Sequence, residues 1–223
     1  MAYFSNDFVK FFEELEKNNH KEWFDENRKR YEKEIKEPFK AFVGDLILAI
    51  QKFDPEIMIK SKDAIFRINR DIRFSKNKQP YKNNVAAYIS KISKKEQFPG
   101  YYVHLDAEGI WLGGGLYDLS TENIYKVRQE VLYNEKSLKE ALSENDFKNE
   151  FGELQGQKNK ILKPPFKEFG EEIPILYQKQ FYFMKRFPVS KITSDELVNF
   201  CAVKFEKAFP VNKFLRLAIE NIE

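Results

Sequence analysis

Cysteine occurs once and histidine twice in the 223 residues. A single cysteine excludes an intrachain disulfide and fits a reducing compartment. His20 and His104 form no paired spacing, and with so little cysteine beside them they argue against a zinc site. No clustered Asp/Glu motif marks a magnesium site, so neither metal nor cofactor is expected. No serine stands in a G-x-S-x-G elbow, and Cys201 falls on an apolar stripe, as core cysteines do. The apolar runs are far too short to span a membrane. No basic-then-apolar leader precedes the first amphipathic segment, and the chain carries no internal repeat or low-complexity tract. The expectation is a cytoplasmic, soluble protein with no membrane partner. What the chain has in abundance is aromatic rings, with 22 Phe and 11 Tyr. Its core should therefore be built mainly of rings, and its length suffices for one large domain.

Hydrophobic periodicity divides this single α+β domain, residues 1–223, into three stretches. Residues 1–55 read as helical. Phe8, Phe11, Phe12 and Leu15 recur at helical spacing behind a cap at Ser5 or Asn6. After a break at Asn18, Asn19 and His20, a second stripe runs from Trp23 to Ile50, and Pro38 should kink or split it. Residues 56–118 read as mainly β. Ile65, Phe66, Ile68, Ile72 and Phe74 form one apolar set, Val85 to Ile89 another, and Gly100 to Leu116 a hairpin turning at Asp106–Gly109. Residues 119–223 return to helix, with stripes after Ser120 and around Leu138, Ala141 and Leu142. A Lys/Pro/Gly-rich surface connection is expected from Gly152 to Phe169, and one returning strand near 180–186. A capping box at Thr193–Glu196 opens a further helix, and Pro210 starts a last one carrying Phe214, Leu215, Ala218 and Ile222. This order argues for a largely antiparallel sheet packed by N-terminal and C-terminal helices.

The net charge of +3 is unevenly placed. Between Lys60 and Lys95, eleven Lys and Arg stand against Asp63 and Asp71, a net of +9 that leaves −6 on the rest of the chain. Such segregation favours an anionic partner on one face, although lysines also protect exposed sheet edges. The densest part holds Arg67, Arg70, Asp71, Arg73, Lys78 and Tyr81. As a strand, 65–74 puts Arg67, Asn69, Asp71 and Arg73 on one face and Ile68, Arg70, Ile72 and Phe74 on the other. Asp71 can then orient Arg67 and Arg73 through bidentate bonds and leave donors free for a phosphate or carboxylate. Arg70 needs a partner of its own, and Lys78 and Tyr81 can fold back as a lid.

Guanidinium groups cannot give up their charge, so three readings stand. In the first, Arg67, Arg70, Arg73, Lys78 and Tyr81 bind a small anionic ligand. If that site is catalytic, the arginines stabilise developing negative charge and Asp71, Tyr81 and His104 are the candidates for chemistry. In the second, the basic segment binds nucleic acid, with Phe66, Phe74, Tyr81 and Tyr88 available to stack on bases. In the third, the arginines are internal struts in an ion-pair network.

His104 alternates with Tyr102 and Asp106 on one face of a strand, where it is either an acid–base group or a histidine satisfied on a half-exposed sheet. His20 is expected to cap a helix start. Gly113, Gly114 and Gly115 lack the Lys-Ser/Thr and the following helix of a phosphate loop. A bulge or a close approach of two backbones suits them better, with their N–H groups as second-rank anion donors. Asn27 and Arg28 share a helix face with Trp23, Phe24 and Tyr31 and are second-rank candidates for a wall of the basic site.

The segment Arg67-x-x-Arg70-Asp71-x-Arg73-Phe74-x-x-Asn77-Lys78-x-x-Tyr81 resembles, at every position, the signature R-x-x-R-D-x-R-F-x-x-[DN]-K-x-x-Y of domain of unknown function 2461, a family of bacterial proteins. The resemblance covers nearly the whole chain. It takes in Asn19, His20, Trp23, Phe24, Asn27, Arg28 and Tyr31, then Pro99 to Tyr102 and Gly113 to Tyr117. It implies membership without an activity to carry over, because a family can mark a segment without supplying its mechanism.

Overall fold

The structure, a computed structural model, describes residues 2–143 and 145–220. Ile222, placed by its spacing on the last helical stripe, lies outside them. Helices α1 (Asp7–Lys17), α2 (Lys21–Glu26), α3 (Arg28–Tyr31), α4 (Glu37–Ile50) and α5 (Ser61–Ala64) precede strands β1 (Asn84–Ile89), β2 (Gly100–Asp106) and β3 (Gly109–Leu116). Helices α6 (Thr121–Tyr133), α7 (Glu135–Ser143) and α8 (Asn145–Phe151) follow, then β4 (Phe181–Pro188) and α9 (Leu197–Glu220). The strands form one antiparallel sheet in the order β1-β2-β3-β4, so the fold is α+β with helices at both ends of the chain. The chain divides into two compact units: residues 1–94, 102–112 and 186–203 in the first, and 95–101, 113–185 and 204–223 in the second.

In the first unit the core is a run of rings. Phe4 and Phe8 pack edge-on at 4.7 Å and Phe8 and Phe12 at 5.1 Å, with Phe11 joining at 5.5 Å from Phe12. Such pairs add about 0.5–1.5 kcal/mol each beyond the area they bury. Arg30 on α3 clamps α1 by donating to both oxygens of Asp7 at 2.7 Å and to Glu14 at 2.6 Å. His20 caps α2 as its position implies, its ring nitrogen accepting from the Trp23 N–H at 3.4 Å. The long helical stripe is split, and the split precedes Pro38. A π turn at Glu32–Lys36 leads into α4, and Pro38 occupies its first turn.

In the second unit Ser120 caps α6 through its hydroxyl, which accepts from the Asn123 N–H at 3.1 Å. The segment after Gly152 is not the plain surface connection expected. It pairs with β4 through Gln155 and Tyr182, buries Leu154, Leu162, Phe166 and Leu176, and is tied to α6 by Arg128, which donates to the Gln178 carbonyl at 3.0 Å. Gly113, Gly114 and Gly115 are buried. A Cβ on Gly113 would meet the Phe183 carbonyl at 2.5 Å, and one on Gly114 the Gly100 carbonyl at 2.4 Å. Gly115 also has φ +86°, which side chains resist. The run serves the close approach of strands.

Helix α9 departs from expectation at its start and in its interior. Ser194, rather than Thr193, takes the Glu196 N–H at 3.1 Å. Pro210, expected to begin a helix, lies inside one. Proline costs about 3 kcal/mol in a helix interior, and the burial of Phe205, Ala208, Val211, Phe214 and Leu215 on both sides of it offsets that cost. The carbonyl it orphans belongs to Glu206, which is exposed to water.

Two measurements check this packing. Gly44 sits inside α4 with nothing within 4 Å of the position a Cβ would take. Gly44→Ala should raise stability by about 0.5–1 kcal/mol, seen as a higher denaturation midpoint, whereas Gly114→Ala should lower it. The Arg30 bonds hold the Asp7 carboxyl below its ordinary value. Its contribution is complete above the unfolded pKa of about 3.9 and is lost as pH falls through the depressed folded value. Asp7→Asn should therefore be less stable than wild type at pH 7 and should converge with it in acid.

Candidate anion site

The basic segment, in the first unit, does not form the regular strand expected over 65–74. Antiparallel bridges pin it at Ile65 with Ala87 and at Asn69 with Tyr81. Backbone bonds join Phe66 N–H to Ala86 (2.9 Å), Lys82 N–H to Ile68 (2.9 Å) and Arg70 N–H to Pro80 (2.8 Å). Four steps from Ile65 to Asn69 are matched by six from Tyr81 to Ala87. The register therefore slips by two residues, and the chain bulges where Asn83 and Asn84 lie. Past Arg70 local side-chain bonds replace the ladder. Asp71 accepts from the Arg73 guanidinium at 3.0 and 2.7 Å and from its N–H at 3.3 Å. Lys78 donates to the Ile72 carbonyl at 2.9 Å, and the Gln79 N–H donates to the Asn77 side chain at 2.9 Å. Such bonds compete with strand pairing and hold a loop.

Both Arg67 and Arg70 act on Lys82. Burial, then the charges of Arg67 and Arg70, push the Lys82 ammonium below its ordinary value. Neither arginine has an ion-pair partner among the described residues. The partner that the strut reading requires is therefore missing for both. Lys82 lies over the ring of Phe66 at 5.3 Å. Arg70, Asp71, Lys82, Asn83 and Asn84 line an open depression of about 460 Å³.

The remaining predicted residues are placed as follows. Arg73 is exposed and engaged with Asp71, which its side chain and N–H pull down to about 2. Asp71 is thus an acceptor at neutral pH and too weak a base for proton abstraction. Tyr81 is buried, and its ring stacks on Phe24 at 3.9 Å and 14°. Asn19 closes both backbone groups of Tyr81, donating to its carbonyl at 3.1 Å and accepting from its N–H at 3.1 Å. The same amide donates to the Asn83 side-chain oxygen at 2.9 Å. Tyr81 therefore acts as a fastening, and burial raises its hydroxyl above the ordinary value. Asn27 donates to the Trp23 carbonyl at 3.0 Å, while Arg28 pairs with Asp25 and lies 5.5 Å over the Phe24 ring. Both support the platform under Tyr81.

His104 belongs to a separate row on β2, between Asp106 at 3.1 Å and the Tyr102 hydroxyl at 3.2 Å. Burial raises the Asp106 carboxyl, but bonds from His104 and from the Glu108 and Gly109 N–H groups outweigh this and hold it low. Burial and Asp106 push the Tyr102 hydroxyl up to about 12. The hydrogen bonds of this row run among its members and to the Glu108 and Gly109 N–H groups of the turn.

Lys82, Asn83, Asn84 and the grip of Asn19 are the features that sequence reasoning missed. The usable signal was the Asn69–Tyr81 pairing, which places Arg70 and Lys82 on one face by the period of two. That pairing becomes readable only once 71–79 is recognised as a loop.

Fold and pocket together define an α+β protein with an open depression lined by two cations, two amides and one carboxylate. The chain belongs to the family described as conserved hypothetical protein DUF2461, whose family model matches residues 7–214. Comparisons with the curated proteins and with the solved structures found no match. Among the described residues, no helix is long and apolar enough to cross a membrane.

Lys82→Met, which keeps the stem over Phe66 and removes one of three like charges, should cost no stability. A gain of about 0.3 kcal/mol is expected at low ionic strength, shrinking as salt is added. A loss of about 3–5 kcal/mol, the signature of a broken buried ion pair, would return Lys82 to a structural role.

Proposed function

We propose that this protein binds a small anion, a phosphate or carboxylate compound, at Arg67, Arg70 and Lys82. The observation that carries the reading is that Arg67 and Arg70 both bear on Lys82 beside an open depression, while the Asp71 carboxylate near them is already bonded to Arg73. Like charges gathered without compensation destabilise a fold, and an arriving anion removes that cost. Arg73 and Lys78 are taken up locally and keep Asp71 and the loop in place. The reading is one of binding.

A second reading takes single-stranded nucleic acid as the anion. It is favoured by Phe74, which is 94% exposed, with the Arg73 guanidinium 5.9 Å from its ring. A base can stack on such a ring while neighbouring lysines follow the backbone.

One thermal-shift experiment separates the two. Phosphate or sulfate at 100 times its dissociation constant adds about 2.7 kcal/mol, worth about 5–10 °C at this size. The shift should be present in wild type and absent in folded Arg70→Ala. A short oligonucleotide that binds instead, with affinity falling steeply with salt and lost in Phe74→Ala, would support the second reading. No shift with any anion would overturn both.

A further inference from the structure

The lining of the depression carries more than charge. Resting on the reading of this pocket as an anion site, we infer that its ligand is a phosphorylated polyol, a small molecule with one phosphate and several hydroxyls. Three observations lead there. A volume of about 460 Å³ is of the order of small-molecule sites. That is more room than the five heavy atoms of a phosphate need. All five lining residues carry a polar or charged side-chain head, so hydrogen-bonding groups on the rest of the ligand find partners there. A nucleobase would find no aromatic ring among the five lining residues to stack on.

The polar groups are also of the kind that match hydroxyls. Asn19 engages the Asn83 side-chain oxygen, which leaves the Asn83 NH₂ as the group available to a ligand. The Asn84 amide has no side-chain partner among the described residues and offers both a donor and an acceptor. Asp71, ionised and anchored by Arg73, can only accept. A hydroxyl both donates and accepts, so amides and a carboxylate suit it. The same carboxylate repels a polyphosphate. The charges then divide the work: Arg70 and Lys82 take the phosphate, and Asn83, Asn84 and Asp71 take the hydroxyls.

Calorimetric titration of the full chain with inorganic phosphate, glucose 6-phosphate, glucose and AMP tests this. Glucose 6-phosphate should bind at least tenfold tighter than inorganic phosphate and tighter than AMP, with glucose alone silent at the same concentrations. Asn84→Ala should lose most of the advantage of glucose 6-phosphate over phosphate while leaving phosphate affinity unchanged. If that variant fails to fold, the wild-type ratio decides. Phosphate binding that disappears in Arg70→Ala, with no gain for glucose 6-phosphate or with AMP preferred, would overturn the polyol assignment and leave the anion site standing. Silence from every phosphate compound would overturn both.

Discussion

The side chain of Asn19 does the work of a missing strand at the point where the basic segment meets the sheet. A backbone N–H and C=O left unpaired in a buried place are costly, and Tyr81 would have both. Asn19 closes them with its two amide atoms and reaches Asn83 with the same nitrogen. Beneath, the Tyr81 ring lies flat on Phe24, which packs in turn on Tyr31 and Phe11. The aromatic core of the first unit is thereby connected through one residue to the bulge at Asn83 and Asn84. The position of Lys82 opposite the arginines follows from that anchor.

Once the anchor is set, the electrostatics divide in two. Carboxylates neutralise the cations outside the pocket: Arg30 by Asp7 and Glu14, Arg28 by Asp25, Arg73 by Asp71. Arg67, Arg70 and Lys82 form no such ion pair among the described residues, and the Asp71 carboxylate that feels Arg67 is held by Arg73. Local strain of charge at one place, offset by packing elsewhere, is how a fold holds a binding site that is less than optimal for stability.

Much of the fold was legible in the sequence because periodicity carries it. Phe8, Phe11, Phe12 and Leu15, the β2–β3 hairpin, the alternation of Tyr102, His104 and Asp106, and the caps at His20 and Ser120 all follow from local chemistry that tertiary contacts do not reverse. The departures are tertiary in origin. Pro210 is carried within α9 by the burial around it, the chain after Gly152 is drawn in by pairing with β4, and 65–74 fails as a strand because its own side chains bond within the loop. The pocket was half legible for the same reason. Residue types marked Arg67, Arg70 and Asp71, but that Lys82 meets them depends on the pairing of Asn69 with Tyr81 across the loop.

The π turn between α3 and α4 can be restated as a matter of helical phase. It closes i to i+5 and so takes up about one residue more than an α turn, which corresponds to about 100° of rotation. Tyr31, before it, meets Phe24, while Phe39 and Phe42, after it, face each other in the core. An uninterrupted helix would carry every side chain beyond Lys36 about 100° further round. The surplus residue acts as a gear between two faces: one props the platform under Tyr81, and the other closes the core.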